Sequence, residues 1–209
     1  MGEVQTTQGP LESTELGTTL GHEHLQTTSE PIRAQFPHLY DRDAEEARAV
    51  EWVRNARERG VETIVEQTCM DLGRDIRFVQ KVAEQTGMRF VVCTGVYGVQ
   101  YTFLPPHFRN QDPEALAEAF VHDITEGIQG TDVKAAFLKC AVDEPGLTPD
   151  VEKVLKAIAA AHHKTGLPVM SHCRPGGMAE CMQAQIHPLR AQMKTTKSLE
   201  AKAEEDDDD

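Results

Sequence analysis

The sequence predicts a parallel α/β fold, and three observations carry that expectation. Five short runs rich in β-branched or apolar residues recur along the chain, at 16–25, 61–68, 88–94, 133–140 and 167–172. Four stretches with helically spaced apolar residues lie between them, at 41–59, 75–85, 113–128 and 148–165. Strand and helix therefore alternate, which implies a parallel sheet built through right-handed crossovers.

Each element has its own local reason. The first run, Leu16-Gly17-Thr18-Thr19-Leu20-Gly21-His22-Glu23-His24-Leu25, reads as a short strand ending at two histidines. Residues 26–39 read as a loop punctuated by Pro31 and Pro37. In 41–59 acidic residues crowd the first turn, Ala49, Val53 and Ala56 share a face, and Gly60 stops the helix. Val61-Glu62-Thr63-Ile64-Val65-Glu66-Gln67-Thr68 has the β-branched character of a strand. Phe78, Val79, Val82 and Ala83 give 75–85 an apolar stripe, with Gly87 beyond its end.

The run MRFVVCT at 88–94 is almost continuously apolar, as expected for a strand covered on both faces. Residues 95–112 form a long loop holding Tyr97, Tyr101, Phe103, Phe108 and the pair Pro105-Pro106. Unstructured loops of that length are usually functional or disordered. Pro113 opens the third helix, where its missing N–H does no harm. VKAAFLKC at 133–140 is the fourth strand. In 148–165, Val151, Val154, Leu155, Ile158, Ala159 and His162 form one stripe that Gly166 terminates. LPVMSH at 167–172 is the fifth strand. Beyond Cys173, Met178, Met182, Ile186 and Leu189 still suit a helix, and the polar end that follows is expected to be disordered. The expected organisation is one α/β domain over 1–189 and an acidic tail over 190–209.

Composition narrows the function classes. A chain of 209 residues can bury a sizeable core in one domain, and 39% hydrophobic residues is low without being a disordered composition. No apolar run approaches the ~18 residues of a membrane span, and the first residues lack a secretory pattern. Glu3 beside Gly2 makes a poor myristoylation signal. The expected location is the cytoplasm. Net charge is −13, of which the terminal Glu204-Glu205-Asp206-Asp207-Asp208-Asp209 supplies six, leaving −7. That balance argues against nucleic acid and anionic membranes, which need clustered Lys and Arg. Cys69, Cys93, Cys140, Cys173 and Cys181 are odd in number and contain no CxxC pair, so reduced thiols are expected.

In parallel βα folds reactive groups collect at the carboxyl ends of the strands. Those ends carry His22 and His24, then Glu66, Gln67 and Thr68, then Tyr97, then Lys139, then His172. Two histidines one residue apart on a strand point to the same side, and neutral imidazole is a common metal ligand. Lys139 lies among Phe137, Leu138 and Cys140, a poor home for an ammonium ion, where desolvation favours the neutral amine. Its plain reading is an ion pair with Glu66 or Asp143. Carboxylated on its amine, it would instead offer two oxygens and could bridge two metals. Glu23 points away from its flanking histidines on a regular strand. His162 and His163 read as packing and surface residues, His38 and His107 as loop residues, and His122 as helical. Cys140 and Cys173 read as core or rim residues. Cupins also carry an HxH pair, but they are all-β, and the four patterned helices count against that fold.

Thr18-Thr19-Leu20-Gly21-His22-Glu23-His24-Leu25 resembles the amino-terminal signature of the phosphotriesterases, members of the amidohydrolase superfamily. The resemblance continues through Thr94-Gly95-Val96-Tyr97, HDITEGIQG at 122–130, KCAVDEPG at 139–146 and Pro168-Val169-Met170-Ser171-His172. The middle two of these segments are most similar to the phosphotriesterase-like lactonases. The match covers roughly residues 4–186, in the family's order and spacing. It implies a (β/α)8 TIM barrel, of which about five βα units are present, around two divalent metal ions. Zinc is the first expectation, with cobalt, manganese or iron as alternatives. By resemblance His22 and His24 bind the more buried metal, carboxylated Lys139 bridges the pair, His172 binds the more exposed one, and Tyr97 lines the substrate pocket. A hydroxide held between the metals would attack a small-molecule lactone or organophosphate triester.

The pattern also departs from the family. A sixth-strand histidine and an eighth-strand aspartate, both implied ligands, have no counterpart here. Only 37 residues follow His172, too few for three more βα units of ~30 residues each. His187 lies near a sixth-strand position, but Gln185-Ile186-His187-Pro188-Leu189 lacks the pattern, and Pro188 argues against a central strand. The expectation is thus a truncated, catalytically impaired family hydrolase, with two alternatives: a non-catalytic metal or ligand binder, and a chain that completes its barrel with a partner or as a homo-oligomer.

Overall fold

The computed structural model describes residues 2–97, 104–142 and 147–173. The chain opens on an antiparallel hairpin, β1 (Glu3–Thr6) and β2 (Gly9–Glu12). Strand β3 (Thr19–Glu23) is followed by a short helix α1 (Glu30–Gln35) and the long helix α2 (Arg42–Glu58). Then come β4 (Thr63–Glu66), α3 (Ile76–Thr86), β5 (Arg89–Gly95), a single helical turn α4 (Pro106–Arg109) and α5 (Pro113–Thr125). Strand β6 (Phe137–Val142), helix α6 (Pro149–Thr165) and strand β7 (Val169–Cys173) complete the described chain. Strands β3 to β7 form one parallel sheet in sequence order, curled as a partial barrel.

The helices start where polar side chains take up otherwise unpaired N–H groups. Asp41 accepts from Ala44 at 3.0 Å, Asp75 from Phe78 at 3.1 Å and Thr148 from Val151 at 3.3 Å. The last turns of α3 and α6 close on Gly87 (φ 66°) and Gly166 (φ 70°) in left-handed conformation.

Alternation along the strands sorts residues between two faces. Ile64, Phe90 and Val92 face outward into a cluster with Val53, Val79 and Val82, while Leu138, Cys140 and Val142 join Leu155 and Ile158. Val65, Val91, Cys93, Phe137 and Met170 form the inner cluster, with Val4 of the hairpin against it. At the amino ends of the strands this inner face opens into an apolar hollow of about 570 Å³, lined by Val4, Val65, Val91, Phe137 and Met170.

The opening hairpin docks on the sheet through Thr7 N–H to the Phe90 carbonyl at 2.9 Å. Three local expectations are corrected. Residues 26–39 contain α1, where Pro31 stands in the first turn and is tolerated there. The loop at 95–112 contains α4. The fourth strand starts at Phe137, because 133–136 is still turning in: Ala135 N–H bonds the Asp123 carbonyl and Ala136 N–H that of Val92. His187, the helical reading of 178–189 and the acidic tail at 190–209 lie outside the described residues. No helix among the described residues is long and apolar enough to cross a membrane.

Candidate metal centre

The histidine pair is aimed by an irregularity that the sequence does not announce. Leu20 pairs with Ile64, but Glu23 pairs with Glu66, so β3 spends three steps where β4 spends two. This extra residue reverses the alternation. Leu20 packs with the outer core, and on a regular strand His22 would follow it there. After the shift Glu23 aligns with Glu66, and His22 and His24 take the inner side. Their ring centres are 5.6 Å apart at 63°. His24 lies one residue past the strand end; it is half-buried and His22 is exposed.

Lys139 stands on β6 on the same face as Phe137 and is completely buried. Its Nζ donates to Gln67 Oε1 at 2.5 Å, and Gln67 Nε2 donates to the Gly21 carbonyl at 2.8 Å. The second bond fixes which end of the amide faces the lysine. This contact replaces the expected ion pair with Glu66; Asp143 lies outside the described residues. Gly95 on β5 is the neighbour of Lys139 across the sheet, and its φ of 146° is a conformation that side chains rarely adopt.

On β7, His172 is paired with Ala141 and places its Nε2 3.0 Å from the Tyr97 hydroxyl. The two rings are 4.7 Å apart, and His172 lies 6.5 Å from His22, centre to centre. Tyr97 is itself held by its backbone N–H, which donates to Asp71 at 2.8 Å. The sequence-derived residues His22, His24, Tyr97, Lys139 and His172 are thus gathered at one end of the sheet.

Burial, followed by the charges of His22, Lys139 and His172, lowers His24 to a pKa of about 4. Burial, Lys139 and His172 also lower His22. Both imidazoles are therefore neutral at neutral pH, with lone pairs available for a cation. Glu66 is held above the usual carboxylate range by its burial, against the pull of hydrogen bonds from Thr68 and Leu25 and the charge of Arg74. Among the described residues no three His, Cys, Asp or Glu side chains form a group able to hold a metal ion. Two neutral imidazoles beside Lys139 fit such an ion once the lysine amine is carboxylated, since an ammonium has no lone pair to give.

Residues at the β4 end carry contacts that reading the strand ends alone did not assign. Gln67 holds Lys139, and Thr68 touches His24 Nδ1 at 3.0 Å. Their only sequence signal is their position just past a strand end. His162 is satisfied by the Leu167 carbonyl at 2.7 Å, in keeping with a packing role. Cys69 and Cys93 are free, buried thiols.

The phosphotriesterase family profile matches residues 2–190. An aryldialkylphosphatase of Saccharolobus solfataricus is 51% identical over 162 residues, spanning 78% of this chain and 51% of the relative. A phosphotriesterase homology protein of Mycobacterium tuberculosis is 41% identical over 182 residues, or 84% of this chain and 56% of that one. An N-acetyltaurine hydrolase of Xenopus tropicalis is 31% identical over 198 residues, or 82% and 56%. The solved structure of the phosphotriesterase from Mycobacterium tuberculosis superimposes with a TM-score of 0.84 at 38% identity, covering 91% of this chain and 60% of that one. The chain spans about half the length of the curated relatives it matches. With the profile running across most of the sequence and the parallel sheet superimposing on a solved member, the chain belongs to the phosphotriesterase family.

Proposed function

We propose that this chain carries part of the metal centre of a hydrolase acting on lactone or organophosphate triester bonds. The observation that supports it is the convergence of His22, His24, Lys139 and His172, with Tyr97, at the carboxyl end of one curled sheet. His22 and His24 would hold one divalent ion, zinc foremost. Lys139, carboxylated, would hold it together with a second ion bound by His172. Bound there, the ions would supply an acidified water and polarise the oxygen under attack.

The chain's own residues have narrower tasks. Gln67 orients the Lys139 nitrogen, which retains one N–H to donate after carboxylation. Tyr97, whose ring lies 4.7 Å from that of His172, would line the substrate pocket. The lactone alternative rests on Tyr97 and on the 122–130 and 139–146 segments. The phosphotriester alternative rests on the aryldialkylphosphatase, which is 51% identical over the matched part.

A second reading is a family member that binds metal with little turnover. It asks only for the ligand candidates that the site brings together, His22, His24, Lys139 and His172. One experiment tests both. Metal content of the purified chain is measured alongside hydrolysis of a simple lactone and an aryl phosphotriester with zinc, cobalt and manganese. Bound metal with turnover supports the first reading, bound metal without turnover supports the second, and no bound metal refutes both.

A further inference from the structure

Thr68 stands between a metal-ligand candidate and a buried carboxylate. Thr68 and Glu66 are 3% and 2% exposed, so bulk water does not satisfy either of them. The Thr68 hydroxyl lies 3.0 Å from His24 Nδ1, 3.3 Å from the Gln26 carbonyl, and in a short hydrogen bond to Glu66 Oε1. Both Glu66 oxygens accept: Oε1 also receives the Leu25 N–H at 3.3 Å, and Oε2 the Thr68 N–H at 3.1 Å.

A threonine hydroxyl has one proton to give and two lone pairs. A carboxylate and a backbone carbonyl can only accept. The proton therefore goes to Glu66 or Gln26, with the charged acceptor favoured. What Thr68 then presents to His24 is a lone pair, and the imidazole nitrogen facing it has to be an N–H. A neutral imidazole carries one N–H, so with Nδ1 protonated the other nitrogen, Nε2, holds the lone pair.

We infer that Thr68, anchored by Glu66, is a positioning residue that sets His24 in the Nδ1–H tautomer and leaves Nε2 free to ligate a divalent cation. This rests on the metal-binding reading above, but the tautomer is a property of the metal-free chain. Outer partners of this kind typically change metal affinity by about 10–100-fold when removed.

The test has two readouts. Nitrogen-15 NMR of the histidine rings in metal-free protein should show His24 as Nδ1–H in the parent and in Thr68→Ser, which keeps the hydroxyl. Thr68→Val should lose that preference. Zinc affinity, measured by competition with a chromophoric chelator, should fall about 10–100-fold in Thr68→Val and return to near the parent value in Thr68→Ser. An Nε2–H tautomer in the parent overturns the inference, and so does a Thr68→Val protein with parental tautomer and affinity. If Thr68→Val does not fold, the parent spectrum alone decides. A parent chain that binds no zinc refutes the metal-binding reading, while the His24 tautomer still tests this one.

Discussion

Lys139 donates to Gln67 across 2.5 Å, and neither side chain has any exposed surface. A buried ammonium is expensive, and one acceptor it uses here is a neutral amide whose own orientation is set by the Gly21 carbonyl. Gln67→Leu keeps the volume and removes the acceptor. It should destabilise the metal-free chain by about 1–3 kcal/mol, the cost of stranding a buried polar partner. Urea unfolding of parent and variant measures it. An unchanged midpoint would mean that Lys139 does not depend on Gln67.

Gly95 carries a second constraint on the same lysine. At φ 146° its Cα faces the Lys139 carbonyl so closely that an added Cβ would overlap it. The Val96 N–H bonds that carbonyl at 3.2 Å, so β5 cannot easily retreat. Gly95→Ala should destabilise the fold by about 1–3 kcal/mol through the strained backbone, and should shift the Lys139 side-chain NMR signals. Parental stability together with parental signals would contradict the close approach.

These two contacts also mark where sequence reasoning stops. The alternation of strands and helices was legible because Val91, Phe90, Leu155 and their neighbours carry strong local periodicity, and Gly87 and Gly166 end their helices by conformation. The hairpin was not, because 3–12 offers only Val4 and Leu11 as apolar residues and is held by its docking on Phe90. The gathering of His22, His24, Lys139 and His172 followed from their places at strand ends. What aims His22 and His24 inward was hidden, since the shift between Leu20 and Glu23 is a matter of pairing with β4 and leaves no residue signature. The roles of Gln67 and Thr68 were hidden for the same reason: each is defined by a partner at least 44 residues away.

The histidine pair predicts a metal result. His22→Ala combined with His24→Ala should lower bound zinc to near background, because both imidazoles lie at the same site, 5.6 Å apart. Metal analysis of tag-free protein checks it. Equal zinc in variant and parent would remove both residues from the ligand set.

Protonation of His24 predicts a pH dependence for the metal-free chain. Its folded pKa, about 4, lies below the ordinary 6.5. The unfolded chain therefore takes up this proton first as pH falls, and His24 withdraws stability progressively from about pH 6.5 down to 4. His22 acts in the same direction. Glu66 acts oppositely, since its raised folded pKa favours the folded state once pH falls through it. Comparison with His24→Asn isolates the His24 part: the parent's stability relative to the variant should decline between pH 7 and pH 5. Urea unfolding in EDTA at several pH values measures this. A difference that does not vary with pH would show that His24 titrates normally.

The bridging role of Lys139 gives the last prediction. The Lys139 ammonium first loses one proton, and the neutral Nζ then bonds the carbon of CO2 and loses a second, so a cationic donor becomes an anion with two oxygens. The position suits the product as well as the reactant. The new N–H still finds Gln67 Oε1, and the added negative charge meets His22 and His24, whose pKa values the Lys139 charge now depresses. Bicarbonate, as a source of CO2, should therefore increase zinc binding by the parent chain, and metal should in turn stabilise the carbamate, since a ligand that favours one form shifts the equilibrium toward it. Lys139→Ala should bind less metal and lose the bicarbonate effect. Lys139→Met, which keeps more of the buried volume, should do the same without the cavity. Native mass spectrometry of the parent with zinc and bicarbonate should show the mass of the added CO2, absent in both variants. A parent chain that binds zinc equally with and without bicarbonate, and carries an unmodified amine at saturating metal, would remove Lys139 from the centre and leave it as a buried structural donor to Gln67.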